Sequence, residues 1–472
     1  MKKHYLFTLI FSLLFSFSFS QTTYYVATSA NGGNDSNNGT TEATPKLTLA
    51  AAVSTASSGD TINVGPGTFS TEANIAANEN LTIQGHGREE TIFDGSSLGS
   101  TIGFMAITAN VTVKNLTVQN YTKTSPVGSA AYAQTAGIII GGTWGTSTTN
   151  SSPLTVTIKN VKFYNNSATM ASNDACGGAI TVVDNVYGGS SASDNHTINI
   201  EECLFYDNSV DGHGGAMYIG DGVTMTIENS VMADNEAGGI GGAIFQGDYY
   251  DASYWGALTL NGCTVYRNWS KSTTSGNGSD SSYYSGGIYT HVSGTEQMGV
   301  NIYNSIVMFN ARANSVNWAT LSGVYYDILM RSDKSAYVTY DIVRTHTYWI
   351  WDGGMDYLDS YSDAHEYRDG SVWLGISGAH KDFYPTDTNS QVVSNAATSS
   401  NLDAGYSIVT YAPPSIDADG VPRPQGGGSD IGAYEYRNTW DGSAGTDWGT
   451  AENWSLETVP STTSEYNAPL IA

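Results

Sequence analysis

Three aspartates recur at one offset. Asp184, Asp221 and Asp248 each stand four residues after the Ile or Met of a Gly-Gly-Ala phrase (Ile180, Met217, Ile244), and Val292 holds that place in a fourth copy. If the copies stack as successive coils, the carboxylates lie about 5 Å apart on one face. Carboxylates that close oppose each other's ionisation unless a cation or base intervenes, so the chemistry on offer is calcium binding or a raised pKa. The same residues also suit chain reversals, and Asp221-Gly222 has the form of a turn. A second column, one residue before a recurring asparagine, holds Asn165, Asp207, Asp234 and Arg267. Asp207, Asp234 and Arg267 would bring two acids and a base to one face. As plain structure, Asp234 and Arg267 make an ion pair worth about 0 to 1 kcal/mol. His213, in GHGGA, is either a further base or a turn residue.

A different chemistry is concentrated further on. Between residues 311 and 395 aromatic residues crowd among acids, with Trp349, Trp351, Asp352, Asp356 and His365 within 17 residues. Aromatic faces beside carboxylates hold sugar rings, the ring stacking on C–H faces while the acid bonds hydroxyls. Packing of irregular final coils accounts for the same residues. No Ser-His-Asp order, zinc spacing, phosphate loop or EF-hand loop is present in the sequence.

These columns depend on a repeat. From 154 to 310 one phrase is written five times: VTIKNVKFYNN, INIEECLFYDN, MTIENSVMADN, LTLNGCTVYRN and VNIYNSIVMFN, closing at Asn166, Asn208, Asn235, Asn268 and Asn310. Its aliphatic anchors Ile158, Ile200, Ile227, Leu260 and Ile302 are 42, 27, 33 and 42 residues apart, so the unit is constant and the connections vary. Self-similarity of this kind signals a solenoid, propeller or array, and the apolar/polar alternation over five or six positions is strand periodicity. One or two short strands per repeat fit a coil of a parallel β-helix better than a four-stranded blade. The expected fold is therefore all-β, a right-handed parallel β-helix (solenoid) with an N-terminal helical cap. Three positions after the anchor stand small residues (Val161, Cys203, Ser230, Cys263, Ser305), and five after it core fillers (Phe163, Phe205, Met232, Val265, Val307). The closing asparagines are placed to form a ladder along the axis, and they also tolerate left-handed backbone.

The chain divides accordingly. Residues 1–20 carry a Lys-Lys start, a short apolar run and small residues before Gln21, the pattern of a secretory signal peptide rather than a transmembrane span, so the expected location is secreted or cell surface. Residues 21–70 form the N-terminal cap and first coil, with a helix expected over 47–56, and 71–310 the coils. Residues 311–400 are aromatic-rich irregular final coils and loops, 401–436 a C-terminal region, and 437–472 the opening of a further extracellular β-module that breaks off. With 44 acidic against 18 basic residues the net charge is −26, which repels nucleic acid and anionic lipid. Calcium and neutral sugars are the ligands such a surface favours. Cys203 and Cys263 share a column two coils apart, beyond disulfide reach, so Cys176, Cys203 and Cys263 are expected as buried free thiols.

Three stretches resemble known families. Residues 24–69, with YYV, a Gly/Asn loop, a short helix, GDTI and a PGT turn, resemble the start of secreted β-helix proteins of the pectate-lyase-like superfamily. In that superfamily's lyases, acids on neighbouring coils hold calcium and a basic side chain removes a proton, a pattern that Arg267 beside two acids is similar to, without a lyase signature around it. FYNN at Phe163 and FYDN at Phe205, with GGAI and GGAM, resemble the repeats of polymorphic outer-membrane proteins. DGVPR from Asp419 and DIGAYE from Asp430 resemble the end of the choice-of-anchor Q family, which implies a surface-sorting signal beyond it. The reading these features support is a non-catalytic β-helix, expected as a monomer, that binds an extracellular polysaccharide or cell-surface glycan or mediates adhesion. The alternative is a polysaccharide lyase or glycoside hydrolase working in a groove along the helix, by calcium-assisted elimination or by paired carboxyls, and a pair roughly 5.5 Å or 6.5 to 9.5 Å apart facing one cleft would favour hydrolysis.

Overall fold

The computed structural model describes residues 21–100, 102–124, 135–142, 152–169, 177–183, 196–220, 223–247, 257–271, 286–291 and most of 299–317, then the strand backbones as far as residue 357, and finally 414–423 and 432–434. The signal sequence 1–20, Cys176 and the module at 437–472 lie outside the described residues.

One coil explains the rest. The strand Thr197–Glu201 alternates polar-out and apolar-in, burying Ile198 and Ile200 completely. Glu202 then turns the chain with φ 56°, Cys203 faces the interior, and a second strand runs Leu204–Tyr206. Asp207 makes the next corner with φ 53°, Asn208 points inward, and Ser209–Val210 leads to the Gly214-Gly215 turn. The strand Met217–Ile219 completes the circuit before Thr224–Glu228 pairs in parallel directly on Thr197–Glu201. The glycines are obligatory there. A Cβ on Gly214 would sit 2.0 Å from the Met217 carbonyl oxygen, and one on Gly215 would sit 2.0 Å from that of Gly242 on the next coil.

Repeating this circuit stacks the described strands into sheets of 17, 10 and 7 strands. The register is the one the sequence columns require: Ile158 pairs with Ile200, Ile200 with Ile227, Ile227 with Leu260 and Leu260 with Ile302. Pairing extends to earlier coils through Val113, Ile83 and Ile62. The chain is a right-handed parallel β-helix, in the sense that parallel crossovers take.

Inside, the columns hold the coils together. Phe163 and Phe205 stack with centroids 5.0 Å apart and planes at 6°. The asparagines form a continuous fully buried ladder: Nδ2 of Asn166, Asn208, Asn235 and Asn268 donates to Oδ1 of the next at 3.0, 3.0, 2.8 and 2.8 Å. Each of those Oδ1 atoms also accepts the backbone N–H of the preceding asparagine, so the acceptors are satisfied twice. Cys203 and Cys263 are free and buried, and burial pushes both thiols up to about 12.

The first coil is closed as the sequence predicts. The helix spans Leu49–Thr55, shorter at each end than 47–56, and buries Leu49, Ala52 and Val53 against the coil. Thr48 Oγ1 caps Ala51 N, while Glu72, from the next coil, accepts Leu49 N at 2.6 Å and Ala50 N at 3.2 Å. At the other end, two of the sheets finish in antiparallel pairs: Ala311–Asn317 with Ser322–Tyr325, and Tyr348–Trp351 with Gly354–Tyr357. The repeat dissolves in sequence after residue 310, yet the coil continues, with Ile302 paired to Val338 and Ile306 to Ile342.

Candidate functional site

The second charged column sits on a row of corners. Asn120, Asn165, Asp207, Asp234 and Arg267 all have φ between 53° and 59°, the left-handed region. Asn and Asp reach this region at least cost, which accounts for four of the five residues in the column without any chemistry. Arg267 is the exception, and its Nη2 meets Asp234 Oδ1 at 3.0 Å, with the two side chains 20% and 9% exposed. Asp207 is exposed. The arrangement can neutralise a charge between coils. His213 also holds a turn: Nδ1 accepts Ile240 N at 2.9 Å, and the ring stacks on Phe245 at 4.9 Å.

The other candidates are placed only in part. Asp184, Asp221 and Asp248 lie outside the described residues, though the strands leading to them, Ile180–Val182, Met217–Ile219 and Ile244–Gln246, are in parallel register. Asp352 and His365 are also outside. Trp349 and Trp351 lie in the final antiparallel hairpin, with Trp349 opposite Asp356 and Trp351 opposite Gly354. Among the described residues no group of three or more His, Cys, Asp and Glu could hold a metal ion, and no helix is long and apolar enough to cross a membrane.

Two outward surfaces that the sequence columns left out distinguish themselves. The first is covered. Leu204, Val231 and Thr264 are successive outward positions in parallel register, 6%, 0% and 0% exposed. The C-terminal segment lies over this file: Ala433 N donates to Thr264 Oγ1 at 3.1 Å, Ala418 N to the Ala433 carbonyl at 2.8 Å, and the buried Tyr434 ring reaches Tyr206. The DGVPR turn is built for this placement. Asp417, fully buried, accepts Asp419 N and Val421 N, both at 2.9 Å, and the Arg423 guanidinium donates to the Gly432 carbonyl at 2.7 Å. Arg88, on a loop from an early coil, joins the cover by an ion pair with Asp419 and bonds at 3.1 Å to the carbonyls of Glu202 and Ala418. At that junction Arg88, Glu89, Glu90, Glu202 and Asp419 line a recess of about 290 Å³.

The second surface is open. On the longer strands of the same sheet the outward file runs Thr61, Thr82, Thr112, Thr157, Asn199, Thr226. Every one of these is partly exposed.

No family model matches the chain, and no curated protein matches it. Among solved structures it is similar to pectate lyase Pel9A, at 16% identity and a TM-score of 0.39 over 88% of this chain and 97% of that one. Two structures of pectin methylesterase with bound hexasaccharides are similar at 10% identity and a TM-score of 0.21, over 73% of this chain and 93% of theirs. Likeness at these scores carries no argument about activity, and the strand pairing itself establishes the solenoid.

Proposed function

We propose that the chain is a secreted or surface-displayed β-helix that binds extracellular glycans without cleaving them. The observation that carries this reading is the open file of hydroxyl and amide side chains running from Thr61 to Thr226, in register over six successive strands. Side chains of this kind bond sugar hydroxyls and supply no acid, base or nucleophile tuned for bond breaking. The charged column that could have supplied them is spent on corners, with Asp234 paired to Arg267. The aromatic stretch that the sequence singles out at Trp349 and Trp351, on the last hairpin among the described residues, is proposed as a second place for a sugar ring.

The test measures retention and turnover together. The purified chain is incubated with a panel of neutral and acidic polysaccharides, and the bound fraction, new reducing ends and absorbance of unsaturated products are followed. Retention with no product is expected. Product from any polysaccharide would overturn the non-catalytic half of the reading, and retention by none would overturn the glycan half.

A further inference from the structure

Two adjacent outward files on the same strands behave differently. In the file formed by Asn63, Gln84, Lys114, Lys159, Glu201, Glu228 and Asn261, several side chains bond a neighbour on the adjoining coil. Gln84 Nε2 donates to Asn63 Oδ1 at 2.6 Å, Lys159 Nζ meets Glu201 Oε2 at 2.9 Å, and Glu228 is bonded by Asn261. Two residues back along the strands stand Thr82, Thr112, Thr157, Asn199 and Thr226, equally in register. Among the described residues none of these five uses its side chain in a hydrogen bond or ion pair. Over these five coils the spare capacity is periodic, one unused hydroxyl or amide in each, about 4.8 Å apart, and the open stretch ends at the next member of the file, Thr259, which is buried. Beside it runs a parallel row of exposed hydroxyls, Thr155, Thr197 and Thr224.

Resting on the glycan-binding reading, we propose that this strip is the binding site and that its ligand is a neutral, unbranched glycan lying along the helix axis. The chemistry selects the ligand class. Each hydroxyl or amide both donates and accepts, as a sugar hydroxyl does, so the pairing works without fixed polarity. An acidic polymer would meet a chain of net charge −26, and an apolar one would find no apolar surface in the strip. A linear polymer is required because the free groups form rows one or two residues wide, bounded on one side by the self-bonded Lys159 and Glu201 file. Individually weak bonds repeated in register on one rigid face add as linked contacts do.

The experiment compares the wild-type chain with the triple variant T112V/T157V/T226V, which keeps side-chain shape and strand preference and removes three hydroxyls. Co-sedimentation with microcrystalline cellulose and insoluble mannan supplies neutral probes, and immobilised polygalacturonate the acidic one. The wild type is expected to bind at least one neutral probe, the triple variant to bind it at least tenfold more weakly with an unchanged melting temperature, and the corresponding triple serine variant to recover. If the valine variant fails to fold, the single variants Thr157→Val and Thr226→Val replace it, each expected to weaken binding severalfold. Equal binding by wild type and folded valine variants would overturn the site while leaving the glycan reading standing. Preference for polygalacturonate would overturn the ligand class. Failure of the wild type to bind any polysaccharide would overturn the glycan reading itself.

Discussion

Val231 and Thr226 lie five residues apart on the same coil, in strands of the same sheet, both pointing away from the axis. One is completely buried and the other partly exposed. Both are strand residues of one sheet, so the difference lies in what crosses over them. The file of Leu204, Val231 and Thr264 is buried where residues 414–423 and 432–434 return to it, with Ala433 bonded to Thr264, whereas the file from Thr61 to Thr226 is polar and stays partly exposed. In a solenoid the inward residues are dictated by stacking, whereas the outward residues record the third layer, whether protein or ligand. The predictions below break or sharpen that contrast, from the largest effect downward.

Val231→Lys is the most damaging change to the covered file. It puts an unpaired ammonium at a site with no exposure, under a segment fixed by bonds on both sides. Such a group either unfolds the region or lifts the cover away, at a cost of about 3 kcal/mol or more. Urea unfolding reads the loss, and faster cleavage by protease near the C-terminus would identify lifting as the route. Removing the link between the two covering segments is milder. Arg88→Ala strands Asp419 and two carbonyls at a partly exposed edge, for about 1.5 to 3 kcal/mol by the same measurement.

The N-terminal cap offers a third test, in which burial competes with hydrogen bonding. Burial raises the Glu72 carboxyl from 4.5 to about 7, opposed by the amides of Leu49 and Ala50 and assisted by the nearby charge of Asp35. Because the folded value lies above the unfolded one, the native state holds the proton more tightly. The resulting stability is fully present below about pH 4.5 and is lost as pH rises through about 7. Glu72→Gln, neutral throughout, is expected to flatten that part of the curve, by an amount on the order of 2 kcal/mol between pH 4.5 and 7. Thermal melts of both chains across this range read it, and identical slopes would mean that burial does not dominate at Glu72.

Much of this was legible in the sequence, for a reason specific to solenoids. Ile158, Ile200 and Ile227 contact their own counterparts one coil away, so alignment of repeats is already a contact map. The asparagine ladder and the free thiols Cys203 and Cys263 followed from the same columns. The cover did not, because Arg88 and Asp419 are 331 residues apart and no periodicity relates them. The signal was present nonetheless: Leu204 and Val231 are apolar at positions where alternation calls for polar residues. The charged column was legible as residues but not as geometry. That Asp207, Asp234 and Arg267 are corners with positive φ could be guessed only from the Asn at the equivalent places, Asn120 and Asn165.

The smallest effect is the most informative. Thr226→Lys makes on the open file the change that Val231→Lys makes on the covered one, on the same coil and the same sheet. At a partly exposed site the lysine stem can lie along neighbouring threonines while its ammonium stays in water, so unfolding is expected to shift by no more than about 0.5 kcal/mol. The comparison needs both halves. A loss at Thr226 as large as at Val231 would mean that the Thr/Asn file is covered in solution by part of this chain or by a second copy, which sedimentation velocity would separate. A neutral Thr226→Lys that still folds and no longer sediments with a neutral glycan would separate stability from binding at that position. Those two properties divide along the sheet only if the outward layer over Thr226 is a ligand rather than protein.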